Sequence, residues 1–274
     1  MHKPTVSDTG HMQAGRHTDR TVTVIGAASG IGRGVALRFG EEGADVVVAD
    51  LRRDPKRGER YDTEAKVPTD EFLSDETPGD GTFVETDVAD PESAKSMTEE
   101  TVESYGGIDV LVNNAGIQIP GDSQATTIAD WERSIGVDLD GAFYCAKYAI
   151  PSLRASEGQI INVGSVRGFE GGGGPSYAAA KGGVVNLTRD LATELGPANV
   201  RVNCIDPGYV ETPLQDYLTE EDVERSADHT LLLRFGLPRD VGDAAVFLAS
   251  EEAGFITGVN LPVDGGWLTA GSEQ

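Results

Sequence analysis

Tyr177 and Lys181 stand four residues apart, and Ser165 precedes the tyrosine by twelve. A phenol titrates near pH 10, too high for an efficient proton acceptor at neutrality. An ammonium one helical turn away favours the phenolate, so a Tyr–Lys pair on one helix face makes a usable general acid–base. The Ser165 hydroxyl, closing the preceding strand, is placed to hold the oxygen of a reacting alcohol or ketone. Taken alone, a serine twelve residues before Y-x-x-x-K is a pattern that chance often produces.

A second group has the chemistry of a nucleotide site. The first apolar run leads into Gly26-Ala27-Ala28-Ser29-Gly30-Ile31-Gly32, and a helical pattern follows. Glycines here allow a tight turn and let a pyrophosphate approach the backbone, while the helix N-terminus supplies free N–H groups and a positive dipole end. The spacing is G-x-x-x-G-x-G, not the general G-x-G-x-x-G fingerprint. Its place after a strand and before a helix is what gives it weight. Asp50 ends the second strand, eighteen residues after Gly32, where a dinucleotide fold sets an acid against the adenosine ribose hydroxyls. A carboxylate there repels a 2′-phosphate, so the sequence favours NAD over NADP. Arg52 and Arg53 argue the other way, because guanidinium groups grip phosphate.

The elements that must position these residues alternate along the chain. Residues 21–25, 45–49, 82–86, 109–112, 159–163, 200–205 and 259–263 read as strands, most of them nearly continuous in Val and Ile, as strands covered on both faces are. Residues 31–42, 91–105, 127–150, 177–195 and 240–250 read as helices. The expected fold is α/β: a Rossmann-type, doubly wound parallel sheet of about seven strands with helices on both faces. It forms one domain over residues 21–274, behind a disordered extension over residues 1–20 in which Met12 offers an alternative start. Two excursions break the rhythm. Residues 52–81 are polar and carry at most a short helix. Residues 209–236 hold Leu231, Leu232 and Leu233, and follow a strand end where ligands bind, so they read as a lid over substrate or as a surface loop with a small satellite core.

Composition excludes several classes. Asp and Glu number 46 against 22 Lys and Arg, a formal charge of −24 that disfavours nucleic acid and anionic membranes as partners. Only six residues are Lys; an acidic, lysine-poor surface is similar to that of proteins from salt-loving organisms. No stretch approaches the roughly 18 apolar residues of a membrane helix, and the first twenty lack the apolar core of a signal peptide, so a cytoplasmic protein is expected. Cys145 and Cys204 match no metal spacing and read as buried free thiols. His2, His11 and His17 fall in the polar extension and His229 stands alone, so no metal site is expected.

Taken together, the residues closely resemble the short-chain dehydrogenase/reductase family over residues 21–266. Besides the glycine turn and the Ser165, Tyr177 and Lys181 set, Asp87-Val88, Asn113-Asn114-Ala115-Gly116, Pro207-Gly208 with Thr212, and Val263-Asp264-Gly265-Gly266 stand in family order. The resemblance implies an NAD-dependent oxidoreductase moving a hydride between nicotinamide and a small secondary alcohol or ketone. Tyr177 is then the acid–base, Lys181 assists it and binds the nicotinamide ribose, and Ser165 orients the carbonyl. Gly26, Ser29, Gly30, Ile31, Gly32 and Asp50 would hold the adenosine and pyrophosphate half. Asp87 and Val88 would flank the adenine, Asn114, Ala115 and Gly116 the cofactor's middle, and Pro207, Gly208, Val210 and Thr212 the carboxamide end. Three features depart from the family pattern: Ile25 before the first glycine, Asp138 where an assisting Asn often stands, and the length of the 52–81 excursion. Asp138 would support a water near Lys181 or be merely structural.

Gln118 and Arg167 occupy places that in relatives acting on 3-hydroxybutyrate help hold the carboxylate, which suggests a hydroxy acid or a sugar-derived acid. Arg167 could equally face solvent or pair with Glu170. Rival readings are a 3-oxoacyl-[acyl-carrier-protein] reductase, a sugar 1-dehydrogenase and a non-catalytic NAD-binding scaffold. The resemblance also implies a homotetramer joined through residues 127–150 and 177–195.

Overall fold

The computed structural model describes residues 15–62 and 65–270. Seven strands, β1 (Thr21–Ile25), β2 (Asp45–Asp50), β3 (Gly81–Glu85), β4 (Val110–Asn113), β5 (Gln159–Val163), β6 (Arg201–Pro207) and β7 (Asn260–Val263), form one sheet in the order β3-β2-β1-β4-β5-β6-β7. Every pairing is parallel. The expected sheet is present, with strand bounds differing by a residue or two.

Helices α1 (Gly30–Glu41), α2 (Thr69–Glu76), α3 (Pro91–Tyr105), α4 (Ile128–Ile135), α5 (Gly141–Ser156), α6 (Pro175–Leu195), α7 (Glu220–His229), α8 (Pro238–Ala249) and α9 (Trp267–Ala270) complete the described chain. One apolar core joins Val22, Val24, Val46 and Val48 to Val35 and Phe39 of α1 and to Val241 and Val246 of α8. The other face sets Val47, Leu111 and Ile160 against Met97, Cys145 and Leu191 of α3, α5 and α6. Alternate side chains of each strand thus feed opposite cores, each fully buried Val, Leu or Ile contributing about 1.5–3 kcal/mol. Both cysteines are free and buried, as expected.

The sheet order reverses between β1 and β4, the switch point outside whose strand ends such sheets bind ligands. Gly26 follows β1, Asp50 ends β2, Asn114 follows β4, Ser165 lies just beyond β5, and Pro207 ends β6. A buried polar ladder fixes the helix behind this edge: the Asn113 amide donates to Asn162 Oδ1 at 2.9 Å, and the Asn162 amide to Thr188 of α6 at 2.9 Å.

Three expectations need correction. The extension expected to be disordered through residue 20 is packed from Gly15 onward; residues 1–14 lie outside the described residues, and His2 and His11 with them. His17 is fully buried, its Nε2 3.0 Å from the Val246 carbonyl and its ring edge-on to Phe39 at 4.9 Å. A short polar stretch thus carries one aromatic ring that fills the end of the α1–α8 core. The helix expected over residues 127–150 is interrupted by a π-helical turn, Gly136–Asp140, before α5 continues to Ser156. The 209–236 excursion carries α7, opened by a Thr219–Asp222 capping box, and Leu231, Leu232 and Leu233 are exposed rather than gathered in a satellite core. Among the described residues no helix is long and apolar enough to cross a membrane.

Candidate active site

The glycine turn is a cradle that side chains would fill. Gly26 has φ +72°, and a Cβ there would lie 2.8 Å from Ala115 Cα; a Cβ on Gly32 would lie 2.1 Å from the Gly26 carbonyl oxygen. The chain from β1 therefore closes directly on the chain from β4, and the Asn114 amide clasps them by donating to the Ile25 and Gly26 carbonyls at 3.1 and 3.0 Å. Ser29 precedes α1 without capping it through its side chain, and the first amide of the helix, that of Gly30, faces the Asp62 carboxylate, as an anion-binding helix start allows. Thr212 faces Gly30, 3.3 Å from where a Cβ would be, so the loop after β6 reaches across to the glycine turn.

Asp50 accepts the Ala28 amide at 3.0 Å, which aims its carboxylate back over this turn. Arg53 is paired with Asp70 at 2.7 Å and Glu71 at 2.9 Å. Asp87 is folded onto its own loop by the Ala89 amide at 3.0 Å. Val88 and Ala115 share a small hollow with Ile25, Asn113 and Gly141. Val210 is buried in the core and offers backbone rather than side chain, bridged to Gly236.

Tyr177 and Lys181 lie on α6, with Lys181 Nζ 5.7 Å from the tyrosine ring centroid. The ammonium is buried and donates to the Val163 carbonyl at 2.9 Å, which pins it to the end of β5. Its nearest carboxylate is Asp138, 3.9 Å away and fully buried on the π-helical turn. Asp138 also accepts the Ile117 amide at 3.0 Å and the Ser134 hydroxyl at 3.1 Å. Burial raises its pKa above the ordinary carboxylate range, against the pull of Lys181. Asp138 is buried on this π-helical turn, an element that recurs at functional sites. Gly116 fits between them, its absent Cβ 2.7 Å from Asp138 and 3.4 Å from Lys181 Nζ.

Ser165 and Tyr177 share an open cleft with Gln118, Arg167, Gly208, Tyr209 and Tyr217 among its walls. The Ser165 oxygen accepts the Arg167 amide at 3.1 Å, which fixes its rotamer. Arg167 lines the cleft and is also paired, donating to Glu170 at 2.8 Å and to the Tyr209 hydroxyl at 2.9 Å. Trp267 of α9 holds the other side of Glu170, its indole N–H 2.6 Å from the same oxygen. Gln118 donates to the Gly173 carbonyl at 3.2 Å, an anchor for the glycine loop before α6. Tyr209, Gln215 and Tyr217 are cleft residues that sequence reasoning missed. They stand in the irregular stretch after β6, where no periodicity marks which side chains point inward.

The long excursion after β2 reaches both halves of the site. Its Glu59 amide donates to Asp216 at 2.9 Å and the Arg60 guanidinium to the Leu218 carbonyl at 3.2 Å, tying it to the segment before α7. Asp62 faces the Gly30 amide at the start of α1, with one carboxylate oxygen buried and without a hydrogen bond; burial raises its pKa.

A parallel sheet whose order reverses at a switch point, a glycine cradle at a helix N-terminus and a Tyr–Lys pair beside the cleft define a dinucleotide-dependent oxidoreductase. The chain belongs to the short-chain dehydrogenase/reductase family: a family model described as enoyl-(acyl carrier protein) reductase matches residues 26–268. A meso-2,3-butanediol dehydrogenase from Serratia marcescens is 39% identical, covering 94% of this chain and 98% of the relative. A 3-oxoacyl-[acyl-carrier-protein] reductase from Thermotoga maritima is 37% identical over 89% of this chain and 95% of its own. Among solved structures, an aldohexose dehydrogenase from Thermoplasma acidophilum superposes with a TM-score of 0.79 at 31% identity, covering 94% of this chain and 97% of that one. The protein is thus an oxidoreductase acting on CH–OH groups with a nicotinamide cofactor.

Proposed function

We propose that the protein is a cytoplasmic NAD-dependent dehydrogenase of a small secondary alcohol that carries a second polar group. The observation that carries this reading is the placement of Tyr177 and Ser165 on one cleft, with the buried Lys181 ammonium beside the tyrosine ring and a glycine turn whose neighbouring acid is Asp50. Gly26, Ser29, Gly30, Ile31 and Gly32 would cradle the pyrophosphate, Asp50 the adenosine ribose, and Asn114, Gly116, Pro207 and Thr212 the remainder. A bound nicotinamide dinucleotide supplies the hydride acceptor. The chain's own residues do the rest. The Ser165 hydroxyl orients the substrate oxygen, Tyr177 takes its proton as phenolate, and the buried Lys181 ammonium, held by the Val163 carbonyl, stabilises that phenolate.

The cleft walls favour a neutral diol or sugar-like alcohol. Gln118, Tyr209 and Tyr217 offer amide and hydroxyl groups, while the Arg167 cation is already compensated by Glu170. A diol dehydrogenase and an aldohexose dehydrogenase among the relatives fit this reading. A hydroxy acid is the second reading, favoured by the guanidinium on the cleft wall. A carrier-protein substrate suits the chain less, because −24 of net charge repels an acidic carrier. Tyr177→Phe should lower kcat by about three orders of magnitude or more while NADH fluorescence shows unchanged binding. Assays with diols, aldoses and hydroxy acids then rank substrates by kcat/KM. Retained turnover in the variant removes the assigned role, and absence of NAD-linked turnover with every class removes the reading.

A further inference from the structure

We propose that Asp206 is a positioning residue for this site, its buried carboxylate holding the Gly164–Ser165 turn from which the Ser165 hydroxyl projects. The inference rests on the function proposed above. Asp206 lies in β6, one residue before the strand's last, and is completely buried. It fills the space that Gly164 leaves: a Cβ on Gly164 would lie only 2.1 Å from Asp206 Oδ1 and 2.9 Å from Cys204 Sγ. The Gly164 amide is itself tied to β6 through the Ile205 carbonyl at 2.8 Å. The carboxylate therefore packs directly under the turn, where the Ser165 amide faces it. Cys204 donates its thiol to Oδ1 at 3.4 Å, and Oδ2 is buried with no hydrogen-bond partner.

An oxygen left bare in the interior is costly, and an uncharged side chain of similar size would fill the same space with less desolvation. What the carboxylate adds is negative charge. A charged acceptor holds an amide more tightly than a neutral one. The groups that act on it are the Cys204 thiol on its own strand, the Ser165 amide beyond β5, and Lys181 and Arg189 on α6; β7 sets Pro262 beside it. Asp138 and Tyr177 stand one step further, through Lys181. Burial raises the Asp206 pKa to about 6. Protonation near that pH removes the charge that attracts the facing Ser165 amide, and the Gly164–Ser165 turn packed on the carboxylate loosens its alignment of the serine hydroxyl.

Asp206→Asn removes the charge and keeps an acceptor; Asp206→Ala removes both. With one alcohol substrate across about pH 5–9, Asp206→Ala should lose about tenfold or more in kcat with NADH binding and KM little changed. Asp206→Asn, neutral at every pH, should sit throughout at the lower activity expected of the wild type below pH 6, and so show no acid limb near that pH. An Asp206→Ala kcat within about threefold of the wild type, or an unchanged acid limb in Asp206→Asn, overturns the proposal. Should the alanine variant fail to fold, the asparagine variant decides alone. A further readout needs no turnover. An acid whose pKa is raised by folding stabilises the fold below its unfolded value, and that stability is lost as pH rises through the folded value. The Tm of the wild type relative to Asp206→Asn should therefore climb as pH falls through 6. A Tm difference that does not change with pH overturns the titration whatever the enzyme assays show. Inactive wild type with a titrating Tm difference locates the failure in the functional reading instead.

Discussion

Arg53 has the chemistry to grip a phosphate, and its neighbours direct it elsewhere. Asp70 and Glu71 of α2 hold the guanidinium, so one of the two cations that made NADP plausible from sequence, Arg52 and Arg53, is already compensated by carboxylates. Asp50 is oriented by contrast, its carboxylate fixed over the glycine turn by the Ala28 amide. A phosphate brought beside it meets a like charge at close range, worth several kcal/mol at the effective dielectric of a protein surface. Asp50→Ser should raise KM for NAD by about tenfold and narrow the gap to NADP, measured by steady-state kinetics with each cofactor. An unchanged ratio of the two kcat/KM values would remove Asp50 from cofactor choice.

At the level of elements, strands and long helices were legible because their patterns are local. Val-rich runs such as Val46-Val47-Val48 leave a doubly covered strand as the natural reading, and the glycine turn, Asn114, Ser165 and Pro207 fall at strand ends because parallel topology brings those ends together. The π-helical turn was not legible. Nothing in Gly136-Val137-Asp138-Leu139-Asp140 announces it, since what it gains is a tertiary contact, the buried Asp138 facing Lys181. The same holds for Asp206, whose role depends on Gly164 from another strand. The packing of the segment before β1 is hidden in the sequence for a related reason: a single buried ring leaves no periodic signal. Burial lowers the His17 pKa from 6.5 to about 4, so the folded chain resists a proton that the unfolded chain accepts. Stability present above pH 6.5 is then lost as pH falls towards 4, by at most about 3 kcal/mol. His17→Gln keeps a donor for the Val246 carbonyl and removes the titration. Urea unfolding at about pH 7 and 5 should show a flatter acid slope in the variant, opposite in sign to the Asp206 effect.

For the whole molecule, charge outweighs every other surface property. With 46 acidic and 22 basic residues, the folded chain concentrates −24 in a small volume, and self-repulsion opposes compaction. Surface ion pairs do little to offset this: Arg239–Glu41 and Arg154–Glu194 are largely exposed, and such pairs contribute roughly 0–1 kcal/mol each. We expect a homotetramer built through α4, α5 and α6, where Ile128, Trp131 and Phe143 are exposed, and association would bring several copies of this charge together. Mobile ions relieve that repulsion over distances longer than the Debye length, about 10 Å at 0.1 M and 3 Å at 1 M. A protein carrying this charge should therefore gain stability from salt well beyond the concentration at which an ordinary acidic protein saturates. The Tm should rise steadily from low to molar KCl, and light scattering should show the oligomer assembling over the same range. Potassium chloride is the informative salt because it screens without strong exclusion from the surface, whereas sulfate would stabilise almost any fold. A Tm that is flat or falling in KCl would mean that the acidic surface is dispersed enough for water alone to accommodate it, and adaptation to high salt would no longer explain the composition.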